Sequence, residues 1–256
     1  MNTDHLYNIS LAFLVQSFEV LSQRVGTPSR ERIGGGYAYR YKDKTIYQAI
    51  VQKLARAVTG LHAIRLLNKA GLLQEQAALQ RTLDEFEEDI AFLCFGVIFQ
   101  DITDLHGEYL SAFYEEELDK PESAIKSSQK RPMIPRKKIR AFVSKYHGPG
   151  YDQSSAIEAS RTISKVYSGY VHAASPHLME LCYGNPPGFH LWGGTDSPLY
   201  EDHVGDLLNY HYRAILSFTF AAKALNDEPL CKKLHQFSGE FAVASGREGQ
   251  LREAKI

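Results

Sequence analysis

Cysteine, methionine and tryptophan are scarce in this chain of 256 residues, with three, three and one respectively. Cys94, Cys182 and Cys231 lie far apart without a C-x-x-C pair, which excludes a zinc knuckle and a disulfide framework. So sparse and odd a count suits a reducing compartment. Long apolar runs are missing as well. The most apolar windows, such as 90–100, are much shorter than the ~20 residues a membrane span needs. The start of the chain also lacks the basic-then-apolar order of a secretory signal. These readings predict a protein that does not enter the membrane and works in the cytoplasm. A net charge of −1 gives no overall pull toward nucleic acid or lipid. No Gly-Lys-Ser/Thr follows Gly34-Gly35-Gly36, and Tyr37-Ala38-Tyr39-Arg40-Tyr41 does not open a helix, so these glycines are not a phosphate loop and read as a flexible connection. None of the ten histidines has a glutamate three residues before it, which excludes the di-metal carboxylate site of four-helix bundles.

What is present is helical periodicity, with no sustained period-two pattern. A first apolar helix is expected over 8–24. Thr45 can cap a second helix with Ile46, Ile50, Leu54, Val58 and Leu61 along its buried side. Gly71 stops that helix, and a third runs from near Leu72 through Leu79, Leu83, Phe86 and Ile90. The connection is so short that the two should pack as an antiparallel pair. Further helices are expected over 104–118, 136–146, 161–172, 201–226 and 229–244. In the helix over 201–226, Leu207, Leu208, His211, Ile215, Phe218 and Ala222 should face inward. The fold class is therefore all-α, a helical bundle in a single domain over 1–244, its core over 45–226, followed by a polar tail over 245–256. Two long loops are expected, one basic over 119–135 and one rich in Gly, Pro and aromatics over 183–200.

Charge is uneven. Residues 119–145 hold nine Lys/Arg against two acids. Within them Arg136, Lys137, Lys138 and Arg140 could contact phosphates through charge alone. Acids cluster at Asp84-Glu85-Phe86-Glu87-Glu88-Asp89, where Glu85 and Glu88 share a face, and Glu116 and Asp119 offer a second pair. These pairs resemble those of the all-helical nucleoside triphosphate pyrophosphohydrolases, and the resemblance implies a magnesium-dependent hydrolase as one alternative. His211, on an apolar face, reads as a core histidine; His203 and Asp206 lack a third ligand.

The remaining constellation is a stripe. At 100° per residue, Arg161, Lys165, Ser168 and His172 fall on one side of a helix, and Ile163, Val166, Tyr167 and Tyr170 on the other. Pro176 ends the helix soon after His172. Imidazole is the side chain whose ordinary titration lies nearest neutrality, which suits proton transfer.

The late helix ending in Tyr167-Ser168-Gly169-Tyr170-Val171-His172-Ala173, with Arg81-Thr82-Leu83-Asp84-Glu85 earlier, resembles the HEPN superfamily (higher eukaryotes and prokaryotes nucleotide-binding) over roughly 45–225. That resemblance implies a helical protein, paired as a homodimer, that binds or cleaves RNA or nucleotides without a metal or other cofactor. It would be a metal-independent endoribonuclease of bacterial defence or stress response. Family members place an arginine four to six residues before the histidine; the corresponding positions here hold Tyr167 and Lys165, and Arg161 comes earlier on the same face. His172 would move the proton, Lys165 and Arg161 would hold the phosphate, and Ser168 would orient it. HEPN members without the motif bind partners instead, so a non-catalytic interaction module is the other alternative.

Overall fold

A computed structural model describes residues 3–116, 124–127, 132–146 and 165–246. In chain order the described elements are α1 (Thr3–Gln23), β1 (Ser29–Ile33), β2 (Gly36–Arg40), α2 (Ile46–Lys69), α3 (Leu73–Ile98), α4 (Asp104–Tyr114), α5 (Arg136–Val143), α6 (165–171), α7 (Ser175–Leu178), β3 (Cys182–Tyr183), β4 (Gly188–Phe189), α8 (Tyr200–Ala224) and α9 (Glu228–Ala244). The all-α helical architecture is thus as the periodicity predicts.

α8 is the helix the others pack on: α1, α2, α3 and α9 all touch it. Leu207, Leu208, His211, Ile215, Phe218 and Ala222 are buried, as their spacing predicts, and so are Tyr210, Tyr212, Ala214 and Ala221 on its other sides. A helix buried on several faces needs partners all round. They supply Leu14 and Leu21 from α1, Ile50, Leu54, Leu61 and Ile64 from α2, Leu83, Ile90 and Leu93 from α3, and Phe241 from α9, each essentially without exposure. Each such side chain contributes about 1.5–3 kcal/mol by leaving water. α2 and α3 form the expected antiparallel pair. Thr45 caps α2 by accepting from the Tyr47 N–H at 3.2 Å. Gly71, at φ +69°, reverses the chain between the two helices.

Two histidines serve the core. His211 is fully buried, 3.0 Å from the Ser10 hydroxyl and stacked on Tyr7, and burial pushes its pKa down to about 3. His106 Nδ1 accepts the Thr103 N–H, which leaves Nε2 to donate to the Phe92 carbonyl.

The glycine triplet departs from expectation. It is the turn of a two-stranded antiparallel hairpin, with Ile33 paired to Gly36 and Ser29 to Arg40. Of the two turn residues, Gly34 has φ +55° and Gly35 has no positive φ. Glycine first in a two-residue loop is what a type II′ hairpin needs. A second short hairpin, Cys182–Tyr183 with Gly188–Phe189, lies in the long aromatic loop. That loop docks on the α2–α3 turn through a Gly194 N–H donated to the Gly71 carbonyl at 2.9 Å. Most of the basic loop, and the chain from 247 onward, fall outside the described residues.

Candidate functional site

α6 is fixed by its inner face. The Tyr167 hydroxyl donates to Asp206 Oδ2 of α8 at 2.8 Å, and the Tyr170 hydroxyl to Glu180 Oε2 at 2.9 Å. Burial and the carboxylate beside it push each phenol pKa well up, so both tyrosines remain donors. The helix closes with the Ala174 N–H on the Gly169 carbonyl, and Ala173 takes the left-handed conformation at φ 51°. Anchored in this way, α6 turns Lys165 and His172 to solvent and leaves Ser168 half-buried. Val166, expected on the opposite side of the helix, is exposed as well, at 52 %. Arg161 lies outside the described residues.

A second imidazole packs on α6. His177, in α7, lies directly on Gly169, one turn from both Lys165 and His172; a Cβ at Gly169 would overlap the His177 ring. The same ring meets Tyr170 edge-on at 4.4 Å. Gln74 of α3 secures the segment, donating to the His177 carbonyl at 2.8 Å and to Glu180 Oε2 at 3.2 Å. His177 Nδ1 is buried without a hydrogen-bond partner. Sequence spacing could not find this residue, because its place depends on a turn at Ala173 that folds α7 back over α6.

Behind α6 a small pocket is lined by Gln74, Glu180, Tyr183, His190, Gly194 and His203. His190 stacks on Tyr183 at 3.6 Å. Burial pushes the His203 pKa down, against the pull of Asp206, Glu180 and Asp202, and its Nδ1 has no hydrogen-bond partner. An apolar rim is exposed nearby in sequence: Phe189 at 58 %, Leu191 at 74 % and Trp192 at 98 %. Trp192 stands in water.

The acidic run on α3 is engaged in ion pairs. Glu88 offers Oε2 to Arg136 and Oε1 to Arg140, the latter at 2.8 Å. Asp89 pairs with Arg136 and, at 2.7 Å, with Lys53. On the other side Arg213 Nη1 meets Asp84 at 2.7 Å and Nη2 meets Glu87 at 2.6 Å. Breaking one partner of a buried ion pair is costly because the other charge is left unmatched, so Glu88 and Asp89 lock α3 to α5, and Asp84 locks it to α8 through Arg213. Arg136 and Arg140, expected to contact phosphates, both have their guanidinium groups engaged by carboxylates. Lys137 stays exposed, and Lys138 approaches Glu108 only to 3.9 Å. Glu85 binds Arg81 and Glu116 grips Arg40 through two bonds of 2.7 Å; Asp119 is outside the described residues. Among the described residues no group of His, Cys, Asp and Glu could hold a metal, and no helix is long and apolar enough to cross a membrane. No family model, curated protein or solved structure matches this chain.

Proposed function

We propose that the chain binds RNA along the outer face of α6 and cleaves it by metal-independent transesterification. The observation that supports this reading is the His177 ring packed on Gly169, which lies one helical turn from both Lys165 and His172. Two imidazoles within reach of one phosphate can divide acid and base work between them. One takes the proton of the ribose 2′-hydroxyl as that oxygen attacks phosphorus. The other, protonated, gives its proton to the departing 5′-oxygen as the P–O bond breaks, leaving a 2′,3′-cyclic phosphate. Lys165 holds the phosphate as a point charge, without the fork that arginine would offer. Ser168 orients it, and Arg161, earlier in the chain, is the further cation. Pairing of two copies across α6 would enclose the face and double it.

The test is cleavage of a labelled RNA in EDTA by the full chain and by His172→Ala, His177→Ala and Lys165→Ala. Activity in the parent that each variant loses supports the reading; activity unchanged in His172→Ala and His177→Ala removes it. The second reading, a non-catalytic interaction module, is favoured by the exposed Phe189, Leu191 and Trp192. It requires that no RNA be cleaved under any condition.

A further inference from the structure

We infer that the β1–β2 hairpin is a binding arm for single-stranded nucleic acid, a site separate from α6 and not dependent on any activity there. In the observed register Arg30 stands opposite Tyr39 and Arg32 opposite Tyr37. Alternation along each strand places all four side chains on one face of the ribbon, about 7 Å apart along each strand. Their contacts agree. The Arg30 guanidinium lies 3.6 Å over the Tyr37 ring, and the Tyr37 and Tyr39 rings meet edge-on at 6.0 Å. Both tyrosines are exposed, at 58 % and 60 %.

The opposite face holds the hairpin to the rest of the chain. There Arg40 grips Glu116, and Glu31 lies within the field of Arg40 and accepts the Ser29 hydroxyl at 3.4 Å. The outer face is left with two cations, two rings and no acid, a surface complementary to a polyanion that also carries flat apolar groups. An isolated two-stranded hairpin is marginal in water, and the cross-strand contacts of these four exposed side chains add only modestly to its folding.

Nucleic acid fits that chemistry. Arginine meets phosphate through its planar fork, and a ring presented to solvent accepts any base on its face. Stacking of this kind requires unstacked bases, so a single strand is favoured over a duplex, whose base faces are covered.

The test is fluorescence anisotropy of a short labelled oligouridylate with the full chain, over a salt series. Tyr37→Ala/Tyr39→Ala should weaken binding by at least about five-fold per ring, while Tyr37→Phe/Tyr39→Phe, which keeps the rings, should bind as the parent does. Arg30→Ala/Arg32→Ala should flatten the plot of log affinity against log salt by about 1.4, or 0.7 for each phosphate contact. Thermal melting should show all three folded, since the altered groups are in water. The α6 reading is judged by RNA cleavage in EDTA and this one by the hairpin variants in anisotropy, so failure of the α6 reading and failure of this one are separate results. No affinity in the parent overturns the inference. So does parent-like binding by either alanine pair, or preference for a duplex of the same sequence.

Discussion

The imidazole of His177 occupies the space where residue 169 would carry its first side-chain carbon, and glycine alone leaves that space open. Gly169→Ala therefore displaces the ring. The obstructing atoms belong to the end of a side chain that can swing, so the cost in stability is small. Alanine also favours a helix interior by about 1 kcal/mol. The variant should melt within a few degrees of the parent, or above it, while any RNA cleavage falls as far as in His177→Ala. Cleavage that survives a well-folded Gly169→Ala would show that the position of His177 has no part in it.

Glu87 faces one guanidinium, Arg213, that Asp84 also claims; Tyr210 of α8 and Glu88 of α3 complete the charged and titratable surroundings. Burial pushes the Glu87 carboxyl from 4.5 up to about 8, with Arg213 pulling the other way. The folded protein then holds a proton there that the unfolded chain releases. Stability is greatest below 4.5 as far as this group is concerned, and falls as pH rises from 4.5 to about 8. The slope is at most about 1.4 kcal/mol per pH unit. Buried neutral His106, His203 and His211 act oppositely below their ordinary value of 6.5. Glu87→Gln isolates the carboxyl. Urea melts should show the glutamine variant gaining on the parent as pH rises from 6.5 to 8, and equal pH profiles would place the proton elsewhere.

Ala173 holds the left-handed conformation at φ 51° directly after His172. A Cβ costs roughly 1–2 kcal/mol there, and glycine removes that penalty while loosening the unfolded chain by less. Ala173→Gly should raise stability by up to about 1 kcal/mol in denaturant melts. A loss instead would mean that the Ala173 methyl packs against something worth more than its strain.

The helices were legible in the sequence because periodic apolar positions bury wherever the partner comes from. Ile50, Leu54 and Leu61 on α2 and Leu207 through Ala222 on α8 needed no knowledge of their neighbours. Partner choice was not legible. Arg136 and Arg140 read as free charges because Glu88 and Asp89 are distant in sequence and only the packing of α5 on α3 joins them. The β1–β2 hairpin escaped because its alternation is of arginine and tyrosine with small or acidic residues, not of apolar with polar. On α6, the exposure of Lys165 and His172 agrees with the 100° step and that of Val166 does not, whereas His177 entered only through the turn at Ala173.

Gly193 joins the long aromatic loop to the core. Its φ is +102°, a region that residues with a Cβ rarely adopt, and a Cβ there would overlap the carbonyl oxygen of Ala70. That oxygen is backbone at the end of α2 and cannot swing aside as a side chain does. Gly193→Ala should therefore break the Gly194–Gly71 hydrogen bond and free the loop, at about 1–3 kcal/mol from strain alone. The pocket would open as well, since Gly194, Ser197 and His190 all line it. Gly188→Ala is the control, because a Cβ there meets nothing within 4 Å. Limited chymotrypsin digestion reads the result: Phe189, Leu191 and Trp192 become scissile in Gly193→Ala and stay protected in the control. Tryptophan emission should not change in either, as Trp192 is already 98 % exposed. Equal digestion of the two variants would mean that the loop is held by something other than its seat on the α2–α3 turn.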